Sequence, residues 1–166
     1  MSQDQIGCFL AGFVEGEGSF NVSLRRKVDY KVKWQVVMSF NVSQKDRTVL
    51  NILKDQLKCG IIKVRKRDNL HSYDATNPED IIKKIIPYFQ KYPVLSESKK
   101  KNFTIFCKIA KLMEDGEHRN LNGLRKILEL REKINEGKGR TRKYDINDVF
   151  DSRILRDYTS TSDEKS

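Results

Sequence analysis

The stretch Phe9-Leu10-Ala11-Gly12-Phe13-Val14-Glu15-Gly16-Glu17-Gly18-Ser19 decides how the rest of the chain is read. Around its start, Ile6, Phe9, Leu10 and Phe13 recur at the spacing of one helical face. That pattern stops among alternating acids and glycines. Beyond it, Phe20, Val22 and Leu24 alternate with Asn21, Ser23 and Arg25, the period of a half-buried strand. The stretch therefore turns a helix into a strand. Upstream, Ser2 and Gln5 stand at capping-box spacing and mark the helix start. Gly12 interrupts the helix and costs about 1 kcal/mol against Ala. Cys8, Gly12 and Gly16 fall on one face, where small residues would let a second helix approach closely. Glu15 and Glu17 sit near the helix C-terminus, where the dipole disfavours negative charge. Carboxylates there call for a compensating cation, and a hard divalent ion takes carboxylate and carbonyl oxygens.

Outward from this point, Trp34, Val36, Met38, Phe40 and Val42 share one face of a second strand. Gln35, Val37, Ser39, Asn41 and Ser43 occupy its other face. The two strands, joined near Val28–Tyr30, form a long basic hairpin. Asp46 is placed to cap a helix carrying Val49, Leu50, Leu53 and Leu57, ending near Gly60. Ile62 and Val64 alternate with Lys63, Arg65 and Arg67, Asp68-Asn69 marks a turn, and Leu70–Ala75 returns as a fourth strand. Asn77-Pro78 starts a helix whose apolar face is Ile81, Ile82, Ile85 and Ile86. After Pro93 comes a helix with Phe103, Phe106, Ile109, Ala110 and Met113 inward, then a helix over Leu121–Ile134. A basic loop over Lys138–Lys143 and a short helix around Ile146–Leu155 follow. The order α-β-β-α-β-β-α with further helices predicts an α+β fold, with an antiparallel sheet covered by helices on one face. Residues 1–156 read as one domain and 157–166 as a polar, frayed tail.

Composition narrows the function classes. The 166 residues hold Lys+Arg 33 against Asp+Glu 23, a net charge of +10. Charged residues are 34% and hydrophobic ones 37%, polar for a globular chain yet enough for a core. No apolar run approaches the roughly 20 residues of a membrane span, and Met1–Ile6 lacks the basic start and apolar core of a signal peptide. The expected site of action is therefore intracellular, with no membrane partner. Cys8, Cys59 and Cys107 are odd in number, widely spaced and set among apolar residues. They read as buried core thiols rather than disulfides or zinc ligands. His71 and His118 are isolated and offer no metal set.

The excess charge implies a polyanionic partner. It gathers on the uncovered face and tip of the sheet: Asn21, Ser23, Arg25, Arg26, Lys27, Lys31, Lys33, Gln35, Val37 and Asn41 on the first hairpin. The second hairpin adds Lys63, Arg65, Arg67, His71, Ser72 and Asp74, and the late loop adds Lys138, Arg140, Arg142 and Lys143. A two-stranded ribbon fits the major groove of DNA, where Arg, Lys, Asn and Gln read base edges. These residues are the candidate nucleic-acid contacts.

The nonapeptide Leu10–Gly18, LAGFVEGEG, resembles the signature of the LAGLIDADG homing endonucleases. The match is close at Leu10, Ala11, Gly12, Glu15, Glu17 and Gly18, and the element order and the Tyr92–Leu95 segment leading to Lys99 and Phe103 are similar too. The resemblance covers all but the last ten or so residues. It implies a site-specific DNA endonuclease, encoded in an intron, acting in an organelle or a bacterial or archaeal cytoplasm. It implies that Glu17 and the Gly16 carbonyl hold Mg²⁺, or another divalent ion such as Mn²⁺ or Ca²⁺. Glu15 takes a structural role. Gln44 would order water near the metal and Lys99 would stabilise charge or activate water, although Lys100 and Lys101 are adjacent. With one motif in the chain, the resemblance points to the homodimeric branch, its interface built from Cys8, Phe9, Gly12, Phe13 and Gly16. Such a dimer reads a palindromic or near-palindromic site in double-stranded DNA and takes no small-molecule substrate. The alternatives are an intron RNA maturase and a DNA-binding protein that no longer cuts.

Overall fold

A computed structural model describes residues 1–136 and 142–151. Helix α1 (Gln3–Glu17) opens on the expected capping box of Ser2 and Gln5. It is followed directly by strand β1 (Gly18–Arg26) and then β2 (Trp34–Gln44). Helix α2 (Thr48–Leu57) and strands β3 (Ile61–Arg65) and β4 (Leu70–Ala75) complete the second half of the sheet. The four strands run antiparallel in the order β1-β2-β4-β3. The observed α-β-β-α-β-β-α order is the predicted one.

The next helical segment starts at Asn77, whose side chain caps α3 (Pro78–Asp80). It widens to a π turn over Ile81–Ile85 and resumes as α4 (Ile86–Lys91). The wide turn adjoins Pro87, which has no N–H to donate. Helix α5 (Glu97–Glu114), a 3₁₀ turn (Glu117–Arg119), α6 (Leu121–Glu132) and α7 (Ile146–Phe150) follow. Among the described residues no helix is long and apolar enough to cross a membrane.

Alternation along β1 and β2 puts Phe20, Val22, Leu24, Trp34, Val36, Met38, Phe40 and Val42 under the helices. Phe20 is the hub of an aromatic cluster, with ring centroids 5.2 Å from Phe40, 5.6 Å from Phe89, 5.0 Å from Phe103 and 5.3 Å from Phe106. One residue from the edge strand thus joins β2, α4 and α5. Helices α5 and α6 pack together beside it, with Phe106, Ile109, Leu124, Ile127 and Leu128 buried.

Several local readings change. Asp46 accepts from the Thr48 N–H at 2.7 Å, but the residue bounding α2 is Arg47. The helix ends on Lys58 in a left-handed conformation (φ 52°), before Gly60 (φ 73°). Val64 is 51% exposed because β3 is an edge strand that the helices cover incompletely. The cysteines are free, and none is fully buried: Cys8 is exposed, and Cys59 and Cys107 are partly covered. Helix α6 ends at Glu132 and α7 at Phe150, both earlier than predicted. Leu155 and the tail 157–166 lie outside the described residues.

β1 is the other edge of the sheet, and its outward carbonyls are not left bare. Arg131, 2% exposed, donates Nε to the Val22 carbonyl at 3.0 Å and Nη2 to the Tyr144 carbonyl at 2.8 Å. A buried guanidinium is tolerated only with such acceptors, and here it fastens the C-terminal segment to the sheet edge. Arg131→Met will lower the unfolding free energy by about 2–4 kcal/mol in urea titrations, because the buried Val22 carbonyl and the part-buried Tyr144 carbonyl lose a charged donor.

Candidate active site and nucleic-acid interface

No residue separates α1 from β1. The Gly18 N–H caps the helix by donating to the Val14 carbonyl. A Cβ on Gly18 would stand 2.5 Å from Val14 Cγ1 and 2.9 Å from the Val14 carbonyl oxygen, so only glycine lets the strand leave this close to the last turn. The junction leaves Glu17 exposed as the final helical residue, and its carboxylate has no hydrogen-bond or ion-pair partner among the described residues. Next to it lie the last-turn carbonyls, Gly16 included, which no intrahelical N–H can reach. The last turn carries no basic residue of its own. The cation comes from α5: Lys99 Nζ donates to the Gly18 carbonyl. Burial pushes the Lys99 pKa down, and the Glu15 charge opposes that. Lys100 instead faces Glu97 at 3.5 Å, and Lys101 faces Glu136 at 2.6 Å. Of the three lysines, Lys99 is the one the fold brings to the junction.

Gln44 reaches the same neighbourhood through strand register. Gly18 pairs with Val42, so Gln44, two residues on, lies level with the end of α1. Its Oε1 accepts from the Lys45 N–H at 2.9 Å. A bare carboxylate beside helix-end carbonyls is a hard oxygen donor set and fits a Mg²⁺-class ion. Among the described residues there is no group of three or more His, Cys, Asp and Glu that could hold a metal.

Glu15 has the structural task expected of it. Its Oε1 accepts from the Leu95 N–H and, at 3.0 Å, from the Ser96 N–H, while Oε2 accepts from Ser96 Oγ at 2.6 Å. Ser96 is in turn the N-cap of α5. The second-last acid of the motif therefore holds the start of the helix that delivers Lys99. Partial burial pushes the Glu15 pKa up, but the Ser96 and Leu95 donors and the Lys99 charge outweigh it, leaving the carboxyl below its ordinary range. A depressed carboxyl stabilises the fold above its unfolded pKa of about 4.3 and loses that contribution as pH falls through the folded value. Glu15→Gln replaces this charged acceptor with a neutral amide and will therefore lower thermal stability at pH 7, by about 1 kcal/mol. Melts from pH 7 down to pH 3 will show the gap to wild type shrinking below about pH 4.

The uncovered sheet face collects half of the predicted contacts. Cross-strand pairs Asn21↔Ser39, Ser23↔Val37 and Arg25↔Gln35 place these residues on it, and Asn41↔Asp74 and Lys63↔Ser72 extend it to the far edge. Arg65 shares the face and pairs with Asp68 at 2.7 Å. The register also adds Ser19, Ser39, Ser43, Ile61 and Leu70, which were not among the predicted contacts; Ile61 is 52% exposed. Strand alternation places Ser39 and Ser43 on this face, although neither is among the predicted contacts. The side chains are mutually braced. Asn21 Nδ2 donates to Asn41 Oδ1 at 3.1 Å, and Asn41 Nδ2 donates to Asp74 Oδ1 at 2.6 Å. Lys63 Nζ lies 3.6 Å from Asp74 Oδ2.

Other predicted contacts fall elsewhere. Arg26 pairs with Trp34 and His71 with Gln44, so both lie on the helix-side parity. The Arg26 guanidinium stacks 5.7 Å from the Trp34 ring, and His71 Nδ1 is 2.8 Å from the Lys45 carbonyl. Lys27, Lys31 and Lys33 form the exposed hairpin tip, where Lys33 Nζ donates to the Val28 carbonyl at 2.8 Å; Arg67 is in the other turn. Arg142 closes on the end of α6: it meets the Glu132 carboxylate and donates Nη2 to the Arg131 carbonyl at 2.8 Å and the Ile134 carbonyl at 3.1 Å. It is a helix cap, because its guanidinium satisfies orphan carbonyls. Lys143 lies over the Tyr144 ring at 5.3 Å. Lys138 and Arg140 lie outside the described residues.

The second surface is the bare face of α1. Cys8, Phe9, Gly12 and Gly16 are exposed and Phe13 is half-buried. A Cβ on Gly12 or Gly16 would meet nothing within 4 Å, whereas one on Gly7 would strike the Tyr92 ring at 2.4 Å. Gly7 and Gly18 are thus required by this chain's own packing, and Gly12 and Gly16 are not.

Comparison with known proteins agrees with this geometry. Residues 10–110 match the family model described as LAGLIDADG endonuclease. The chain is 34% identical over 141 residues, 81% of its length, to "Probable intron-encoded endonuclease 2" of Neurospora crassa, but spans 30% of that protein. It is 30% identical to "DNA endonuclease I-CeuI" of Chlamydomonas moewusii, covering 80% of this chain and 64% of that one. Among solved structures, the I-LtrWI LAGLIDADG homing endonuclease bound to target DNA superposes with a TM-score of 0.77 and 32% identity over 82% of this chain and 46% of its own. The archaeal intron-encoded homing endonuclease I-Vdi141I complexed with DNA gives a TM-score of 0.84 and 30% identity over 96% of this chain and 99% of its own. A signature nonapeptide at a helix-to-strand junction, a matching four-stranded sheet and these likenesses agree: the chain belongs to the LAGLIDADG endonuclease family.

Proposed function

We propose that two copies of this chain form a divalent-metal-dependent homing endonuclease that makes a double-strand break in a long palindromic or near-palindromic DNA site. The observation that carries this reading is the position of Glu17. Its unpartnered carboxylate stands at the α1–β1 junction, between the bare face of α1 and the uncovered face of the sheet. Bound there, a Mg²⁺-class ion supplies polarisation of the scissile phosphate and a more acidic water. Glu17 and the Gly16 carbonyl hold it. Lys99, held at the same junction by the Gly18 carbonyl, places positive charge near the phosphate. Gln44, level with the helix end, orients water. Arg25, Gln35, Asn21, Asn41, Lys63 and Arg65 face the duplex across the sheet.

Two copies are proposed because Gly12 and Gly16, where a Cβ would meet nothing within 4 Å, have no internal reason to be glycine. Each such glycine weakens its helix by about 1 kcal/mol, a cost that close approach of a second α1 explains. The DNA-bound relatives are consistent with it: one matches this chain end to end, and another is about twice its length. The enzyme acts inside a cell, in an organelle or a prokaryotic cytoplasm, on an intron-associated target.

Glu17→Gln will abolish Mg²⁺-dependent cleavage of the cognate site and leave DNA affinity unchanged; cutting at the wild-type rate would remove Glu17 from the metal site. Gly12→Leu will separate the two surfaces. It raises the helix stability of one subunit by about 0.5–1 kcal/mol but blocks close helix contact. Sedimentation equilibrium will then show dimer for wild type and monomer for the variant.

A further inference from the structure

The bracing of the sheet face does not end at Asn21. Asn135, just beyond α6, adopts a left-handed backbone (φ 51°), which Asn tolerates better than other side chains. Its Nδ2 donates to the Phe20 carbonyl at 2.8 Å and to Asn21 Oδ1 at 3.2 Å. Behind it, Asn102 of α5, 9% exposed, makes a reciprocal pair: Asn102 Nδ2 donates to Asn135 Oδ1 at 2.7 Å, and the Asn135 N–H donates to Asn102 Oδ1 at 2.9 Å. Four amides therefore line up, Asn102 to Asn135 to Asn21 to Asn41, each donating to the next, and the chain ends on the Asp74 carboxylate.

The direction of this chain is set by groups whose roles cannot be exchanged. The Asn135 N–H can only donate, the Phe20 carbonyl can only accept, and ionised Asp74 can only accept. Each amide between them is thereby locked in one orientation, and bonds in such a row polarise one another. The lock bears on recognition. Asn21 uses one N–H on Asn41 and one lone pair on Asn135, which leaves it one N–H and one lone pair. That remainder matches the N7 acceptor and N6 donor of adenine in the major groove. Asn102 also sits one turn beyond Lys99 on α5, so the same helix serves the relay and the α1–β1 junction.

We propose that Asn135, which lies on no strand of the sheet, is a positioning residue that sets the base preference of Asn21 for adenine. This rests on the reading of the sheet face as the DNA surface. The variant Asn135→Asp keeps the shape and tolerates the left-handed backbone, but turns an acceptor toward the Phe20 carbonyl and Asn21 Oδ1. Selection from a randomised DNA library will show an adenine preference for wild type. That preference falls about tenfold or more in the variant, while affinity averaged over the library stays within about threefold. Uniform weakening at every base position, or an unchanged preference, overturns the proposal. Should Asn135→Asp misfold, Asn135→Gly keeps the left-handed backbone and the Asn135 N–H bond to Asn102 Oδ1 while removing the side-chain amide that donates to Asn21 and the Phe20 carbonyl and accepts from Asn102; the same two outcomes apply. A second readout needs no DNA: Asp74→Asn in isotope-labelled protein will shift the side-chain amide resonances of Asn135, beyond Asn41 and Asn21. No shift there overturns the relay. Coupled shifts in a protein that selects no DNA sequence overturn the DNA reading of the face and leave the relay standing.

Discussion

The absence of any linker between α1 and β1 is the constraint on which the rest of this protein depends. Gly18 makes it possible, because the space a Cβ would need is held by Val14. A helix that passes directly into a strand has a fixed exit, so the backbone of its last residue, Glu17, is held in place by both elements. It also puts the helix-end carbonyls, Glu17 and the first residues of the sheet within one short stretch. The negative end of the helix dipole is disfavoured for acids. The protein offsets this with Lys99, brought from 81 residues away, and with a cap that Glu15 provides for the helix carrying it. The two motif acids thus divide their labour: one assembles the site and the other is left open.

The edge strand β1 is where the two halves of the chain are joined. Phe20 binds it to the aromatic core from below. Along its outer edge, the carbonyls of Gly18, Phe20 and Val22 accept from Lys99, Asn135 and Arg131 in turn. These alternate carbonyls would otherwise be an open template for another strand. All three donors come from the C-terminal helices or their ends, so those helices do more than cover the core. They set the position of the strand whose other face is offered to a ligand.

The excess positive charge is distributed unevenly between internal structure and surface. Arg131 and Arg142 are absorbed into carbonyl contacts, Arg26 stacks on Trp34, and Lys99 serves the helix end. Arg25, Lys63 and Arg65 remain on the uncovered sheet face, with Lys27 and Lys31 at the exposed hairpin tip. A basic count is therefore a poor map of a binding surface, since a guanidinium at a helix end is as useful to folding as to a phosphate.

Much was legible in the amino-acid order by itself. Alternation separated the buried and uncovered faces of β1 and β2, the capping box and Asn77-Pro78 marked helix starts, and LAGFVEGEG marked the junction and the family. These are local signals: period, cap chemistry and a contiguous motif act between near neighbours. What only the tertiary structure decided depends on distance in the chain. Nothing near Lys99 distinguishes it from Lys100 and Lys101 until the fold carries it to Gly18. Arg142 resembles any other basic loop residue until the end of α6 presents its carbonyls. Asn102 and Asn135 carry no pattern at all, and they matter because sheet and helices bring four amides into one row. Sequence specifies the elements through nearest-neighbour physics, and partners are assigned only when packing brings remote donors to the acceptors they must satisfy.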